Sequence, residues 1–326
     1  MPLSLTPLDI ASVIWFFVVW VGYSVVADSD RFQHLSVLGI MNEHRQRWMN
    51  EMLRRDMRMI DALDSLLRHR PDTAVLAGGQ SLMASLNMRL SNPAVLIDIN
   101  GIDDLSGISV VEDQLRIGAM TRQVDLEHSP LVAQHAPLVS RVIPHIAHPA
   151  IRNRGTIGGS IAFADPAAEL PACMVALQGQ IVLQGPDGER RIAAEEFFQG
   201  LFETALSDNE LLTAIEIPIA KQTQRFGFRE LARRHGDYAM AGVCAASDWS
   251  SNNLIDLRLA YLNVGPGPVL AEQTASGICR NWGQNYDEVL EGLGSELDPT
   301  DDLNATSDMR IHLAKVLTRR LLEEWR

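Results

Sequence analysis

Two short strings carry the residues best suited to chemistry: Ala77-Gly78-Gly79-Gln80-Ser81-Leu82 and Thr156-Ile157-Gly158-Gly159-Ser160. A diphosphate is best held by several backbone N–H groups aimed at one point. That needs backbone without Cβ, able to take positive φ and to lie close to the ligand. Gly78-Gly79 stands between a short apolar run and a good helix former, where the helix dipole adds favourable potential for an anion. Ser81 can add a hydroxyl. Gly158-Gly159, with Thr156 and Ser160 on either side, offers a second set of donors. Neither turn has the lysine of a phosphate-binding loop or the Gly-x-Gly-x-x-Gly spacing of a dinucleotide fold. Either pair alone reads as a tight turn; two of them, each inside a longer characteristic string, point to one shared pyrophosphate.

Other chemistry is sparse. Cys173, Cys244 and Cys279 are far apart, with no Cys-x-x-Cys pair, so neither an iron–sulfur cluster nor a structural zinc finds its ligands here. They are expected as small buried residues in a reducing compartment. His145 and His148 lie beside Pro149 without a third ligand, and no Ser-His-Asp set is apparent. No catalytic side chain and no metal site are expected.

The elements that must position these turns follow from periodicity and breakers. Residues 61–68 read as a short helix with Leu63, Leu66 and Leu67 on one face. Residues 73–76 form a buried strand, 94–100 and 114–120 further strands, and 125–146 a helical stretch. Asp165-Pro166 opens a helix, aspartate as cap and proline in the first turn, which puts Glu169 on that helix. Residues 180–198 read as a hairpin turned at Gly185-Pro186-Asp187-Gly188, and 211–218 as a strand ended by Pro218. From about Lys221 the pattern changes to three long strands, at 225–234, 239–249 and 254–265. Two closing helices follow, the last with Leu313, Val316, Leu317 and Leu321 on one face. The expected division is therefore 1–60, 61–220 and 221–326, the last a small α+β domain.

The chain of 326 residues has room for two or three cores, and its 46% hydrophobic and 21% charged residues are ordinary for a globular protein. The net charge of −13 is uneven. The first sixty residues hold six Lys/Arg and six Asp/Glu, so the remaining 266 hold 22 and 35. Such a body repels a phosphate backbone, and nucleic acid is not expected as a partner. Residues 10–27, from Ile10 to Ala27, form an eighteen-residue run without a charge, the lower limit for a membrane-crossing helix. No Lys or Arg precedes it, and it exceeds the ~7–15 residues of a signal-peptide core. A membrane helix is expected rather than a cleavable leader. The arginines that follow, between Arg31 and Arg58, place that side in the cytoplasm.

The strings VLAGGQSLMASLNMRLSNPAVLIDI and HPAIRNRGTIGGSIAFADPAAELPA resemble the medium, FAD-binding subunit of aerobic carbon monoxide dehydrogenase. They are similar too to the flavin domain of xanthine dehydrogenase. FRELARRHGDYAMAGVCAA and HLAKVLTRRLLEE resemble the same subunit's C-terminal part, so the likeness runs from Asp61 to Arg326. It implies a two-part α+β FAD-binding domain of the vanillyl-alcohol oxidase type, then a small α+β C-terminal domain, here with an N-terminal apolar helix. Position by position it implies that Val75, Leu76, Ala77, Gly78, Gly79, Gln80, Ser81 and Leu82 wrap the FAD diphosphate and ribityl chain from one side. Thr156, Ile157, Gly158, Gly159 and Ser160 hold it from the other. Glu169 accepts from ribose or ribityl hydroxyls, Ile146 and Leu212 make apolar or backbone contacts, and Arg229 is a cation near the flavin. Asp237 and Tyr238 fall on a segment that approaches the ring.

The implied function is a relay. A molybdenum subunit oxidises substrate, iron–sulfur clusters in another subunit carry electrons, and FAD here passes them to an external acceptor. The partners implied are that iron–sulfur subunit and the large molybdenum-cofactor subunit. From the uncharged run and the arginines after it, the expected place is the cytoplasm, tethered to the inner face of the plasma membrane by residues 10–27. A stand-alone FAD oxidoreductase and a membrane-anchored non-catalytic fusion product stay open as alternatives. One departure stands out: subunits of this type start with a strand before the helix matching residues 61–68, and here a different sequence occupies its place. That strand is expected to be missing or substituted. The first sixty residues instead resemble the start of an uncharacterised bacterial family of multi-pass membrane proteins.

Overall fold

A computed structural model describes Leu53–Arg55, Met59–Arg68 and residues 72–326. The first sheet is parallel, in the order β1 (Leu53–Arg55), β3 (Val95–Asp98), β2 (Thr73–Leu76). Parallel neighbours need crossover connections, and helices α1 (Met59–Arg68) and α2 (Leu82–Asn87) supply them. The strand expected to be missing is therefore substituted: Leu53 to Arg55 pair in register with Leu96 to Asp98. Helix α1 buries Ala62 and Leu66, one turn apart, while Leu67 is exposed. The expected face was rotated, because the i, i+4 seam runs through Ala62. Ile97, Ile99, Ile102, Leu105, Met120 and Leu211 complete this small core.

The second sheet is antiparallel, in the order β4 (Ile108–Val111), β5 (Gln114–Gly118), β10 (Leu211–Pro218), β6 (Gln180–Gly185), β7 (Gly188–Ala193). Strand β10 returns from far along the chain to sit at the centre, and accordingly is almost wholly buried. The expected helical stretch at 125–146 is broken into α3 (Gln123–His128), α4 (Pro130–His135), α5 (Pro137–Val142) and a 3-10 turn (Ile143–His145), followed by α6 (Pro149–Arg152). Prolines at the starts of these pieces explain the breaks: a ring without N–H suits a first turn and interrupts any longer helix. Helices α7 (Ile157–Phe163) and α8 (Glu169–Ala176) then lead to the hairpin β6–β7. A short helix α9 (Ala194–Phe197) and the small pair β8 (Phe198–Gly200) and β9 (Glu203–Thr204) lie between β7 and β10.

The third sheet runs β11 (Gln224–Ala232), β12 (Ala239–Ser250), β13 (Asn253–Leu262), β14 (Val269–Leu270), all antiparallel. Helices α10 (Glu272–Arg280), α11 (Asp287–Gly292) and α12 (Ser307–Glu323) follow. Side chains alternate across a strand, so β12 serves two cores. Ala241, Val243 and Ala245 pack with Leu317 and Leu321 of α12, while Cys244 and Ala246 join the core of α8 and β10. Arg310, 2% exposed, ties α12 to the strand ends by donating to the Met240 and Asn263 carbonyls and pairing with Asp302 at 2.6 Å. Among the described residues no helix is long and apolar enough to cross a membrane, and residues 10–27 lie outside them.

Candidate functional site

Turn one leaves β2 at Ala77 and enters α2 at Leu82; turn two joins α6 to α7. They touch. A Cβ placed on Gly78 would overlap the Arg154 carbonyl oxygen and come within 2.9 Å of the Gly155 Cα. Gly79 takes φ +73°, a conformation glycine adopts without strain. Met83 N–H donates back to Gly79 O at 3.2 Å and Gln80 Nε2 to Gly78 O at 3.0 Å, so the loop is held by its carbonyls. Its amides from Gly78 to Ser81 donate to no protein acceptor among the described residues.

Turn two behaves differently. Ile157 N–H donates to Thr121 O at 3.1 Å, Gly158 N–H to Ala119 O at 2.8 Å, Gly159 N–H to the Thr156 hydroxyl at 3.1 Å and Ser160 N–H to Thr156 O at 3.2 Å. The expectation of two sets of bare amides is thus corrected: turn two has used its own to seat α7. Gly158 is needed because a Cβ there would lie 2.7 Å from the Ala119 oxygen. What turn two offers a ligand is shape and the Thr156 and Ser160 hydroxyls, each of which retains a proton to donate.

A polar bracket missed by sequence reasoning locks the two turns together. Asn100 Nδ2 donates to Ala77 O at 2.9 Å. Arg122 donates to Asn100 Oδ1 at 2.6 Å and also to the Arg154 carbonyl, the group that faces Gly78. Asn100 and Arg122 each follow a strand, so neither stood out by type or spacing.

Between the turns opens a cleft of about 920 Å³, within the ~300–1,000 Å³ typical of enclosed ligand sites. Val75, Ala77 to Leu82, Ile146, Thr156, Gly158 to Ser160, Glu169 and Leu212 line it, joined by Phe163, Phe202 and the Gly236-Asp237-Tyr238 turn. Leu76 and Ile157 do not, and Ile157 is wholly buried in the core. Arg229 also lies outside it and pairs with Glu324 of the last helix. The expected cation at the flavin is corrected by strand alternation: Phe228 packs on the core beneath the cleft and Glu230 meets His145 there, so Arg229 points to the opposite face.

Buried acids also border the cleft. Glu169, 8% exposed, begins α8. Burial, then the charges of Glu230 and Asp165, push its carboxyl up to about 8, against the pull of its own backbone amide. Asp165 does not cap α8; its Oδ1 accepts from Ala167 N–H at 2.9 Å in a local turn, as Asp before Pro often does. Burial raises its carboxyl too, while the Ala167 amide and the Tyr238 hydroxyl pull it back down. His145 pairs with Glu230 at 3.1 Å and stacks edge-on against Phe228, which accounts for it without a metal. Among the described residues no group of three or more His, Cys, Asp or Glu is arranged to hold a metal ion. A largely apolar cleft bordered by unspent amides, hydroxyls and buried carboxyls suits a long nucleotide that carries a diphosphate.

Comparison with known proteins agrees with this chemistry. The family described as the FAD binding domain in molybdopterin dehydrogenase matches residues 56–220, and the CO dehydrogenase flavoprotein C-terminal domain matches residues 226–325. A protein family of unknown function matches residues 11–90, overlapping the first. The caffeine dehydrogenase subunit beta of a Pseudomonas species is 36% identical over 80% of this chain and 90% of its own length. The carbon monoxide dehydrogenase medium chain of Hydrogenophaga pseudoflava is 35% identical over 77% of this chain and 88% of its own. Among solved structures, quinoline 2-oxidoreductase from Pseudomonas putida superposes with a TM-score of 0.77 at 31% identity, covering 83% of this chain and 95% of that one. The chain belongs to the FAD-binding medium subunits of the carbon monoxide dehydrogenase and xanthine dehydrogenase family of molybdenum hydroxylases.

Proposed function

We propose that FAD lies in the cleft with its diphosphate at the junction of the two turns, and that the chain serves as the electron-transfer subunit of a molybdenum–iron–sulfur–flavin hydroxylase. The observation that carries this is the direct contact of Gly78 with Arg154 and Gly155, which sets unspent amides against a cleft of about 920 Å³. When bound, FAD supplies the redox chemistry that links iron–sulfur carriers to an external acceptor. The protein's part is to hold and orient. Amides of Gly78 and Gly79 with the hydroxyls of Ser81, Thr156 and Ser160 bind the diphosphate; Ile146 and Leu212 keep water from one wall; Glu169 accepts from a sugar hydroxyl. No proton-abstracting side chain is required for such a role.

The relatives are subunits of larger dehydrogenases, and this chain's partners are proposed to be an iron–sulfur subunit and a large molybdenum subunit. The full-length chain, purified and folded, is expected to be yellow, with the two flavin absorption bands and FAD released on denaturation. A folded but colourless chain that takes up no FAD would overturn the assignment. Residues 10–27 are proposed as a membrane tether on the cytoplasmic side, on the strength of their uncharged length. The full chain should then stay with membranes after an alkaline carbonate wash, and its release into the wash would remove the tether from the account.

A further inference from the structure

Hairpin β8–β9 closes on two residues: Gly200 pairs with Glu203, and Leu201 and Phe202 alone connect them. The second of the two, Phe202, takes φ +57°. Positive φ at that place in a tight turn ordinarily calls for glycine or asparagine, because a Cβ crowds the backbone there, and a bulky side chain is an outlier. Burial offsets little of this cost, since Phe202 stays 45% exposed. Its ring borders the cleft instead, 5.1 Å from the ring of Phe163 and tilted by 60° to it. Phe163 is the last residue of α7, is only partly buried, and borders the cleft as well. Helix α7 starts at the second glycine turn, so the aromatic pair stands on the helix whose first turn the diphosphate is proposed to meet. Strained residues in folded proteins gather at ligand contacts, and an aromatic pair left partly open in a cleft of nucleotide size suits a flat ring.

We infer that the Phe163–Phe202 pair is a stacking face for one of the two flat rings of FAD, with Phe202 as the contact residue. The inference rests on the placement of FAD proposed above. Flavin-free full-length chain and its Phe202 variants are titrated with FAD, with ADP and with riboflavin. Loss of an aromatic partner weakens a stacked base by about 5- to 100-fold, and Phe202→Gly should weaken FAD by that factor. One fragment should weaken with it, ADP if adenine is the ring that stacks or riboflavin if isoalloxazine is, while the other binds as before. Phe202→Tyr keeps the flat ring and should bind FAD like the parent. Without flavin, the Phe202→Gly chain should melt at the same temperature or higher, because glycine takes φ +57° without strain. A side chain that only packs the hairpin would give the reverse, a lower melting temperature with FAD affinity following it. Unchanged FAD affinity in Phe202→Gly would overturn the inference, as would equal loss of both fragments or a lowered melting temperature. Should the parent chain bind no FAD, the placement of the cofactor falls first and this contact with it.

Discussion

Gly78→Val is expected to strip the chain of flavin, raising the FAD Kd by at least ~100-fold. The new Cβ meets backbone on both sides, the Arg154 carbonyl and the Gly155 Cα, and backbone cannot rotate away as a side chain can. The turns must separate instead. Two hydrogen bonds to charged oxygens, each worth roughly 1.5–3 kcal/mol, are then lost or stretched, and every ~1.4 kcal/mol is tenfold in affinity. Gly158→Val should also lose flavin but by another route: its Cβ would collide with Ala119, so α7 lifts from the end of β5 and the fold loses about 1–3 kcal/mol. Gly292→Ala is the control, since a Cβ there meets nothing within 4 Å. Flavin content by absorbance and unfolding in urea separate the three. A Gly78→Val chain that keeps its full complement of FAD would show that the contact between turns does not hold the diphosphate.

The flavin-free chain should lose stability as pH rises from about 4.5 to about 8, and Glu169→Gln should abolish most of that loss. Buried against Glu230 and Asp165, the Glu169 carboxyl holds its proton up to about 8, against 4.5 for an ordinary glutamate. Below 4.5 it is protonated in both folded and unfolded chains and has no effect. Between 4.5 and 8 the unfolded chain ionises and the folded one does not, so folding becomes less favourable; above 8 the penalty is complete. A shift of this size corresponds to on the order of 3–5 kcal/mol. Glu169→Gln and the parent should therefore be about equally stable at pH 4, and the variant clearly more stable at pH 9, measured by urea unfolding with flavin removed. A difference that does not change with pH would show that Glu169 ionises normally in the fold.

Much of this was legible beforehand because it was local. The strand and helix flanking Gly78-Gly79, the hairpin at Gly185 to Gly188 and the last helix follow from period and turn residues within a dozen positions. What escaped was set by distant segments. Nothing near β10 says that it will sit between β5 and β6. The amides of Ile157 and Gly158 looked free because their acceptors, Thr121 O and Ala119 O, lie more than thirty residues earlier. Arg229 was misplaced because resemblance fixes a neighbourhood, whereas one step along a strand reverses the face. Asn100 and Arg122 carry their weight through bonds to carbonyls, which leave no trace in residue spacing. The pieces between 123 and 145, by contrast, were readable from Pro130, Pro137 and Pro144 and were simply merged into one stretch at 125–146.

Among the described residues, the core beneath the first sheet is the smallest of three buried clusters, built around Ala62, Leu66, Ile97 and Ile99. The opposite wall of the cleft belongs to a core that continues through β10 into β12 and β13. Local opening free energies vary within one protein according to such differences, and a ligand at a hundred times its Kd adds about 2.7 kcal/mol to the state that binds it. With FAD placed as proposed, the nucleotide would brace the frailer jaw more than the sturdier one.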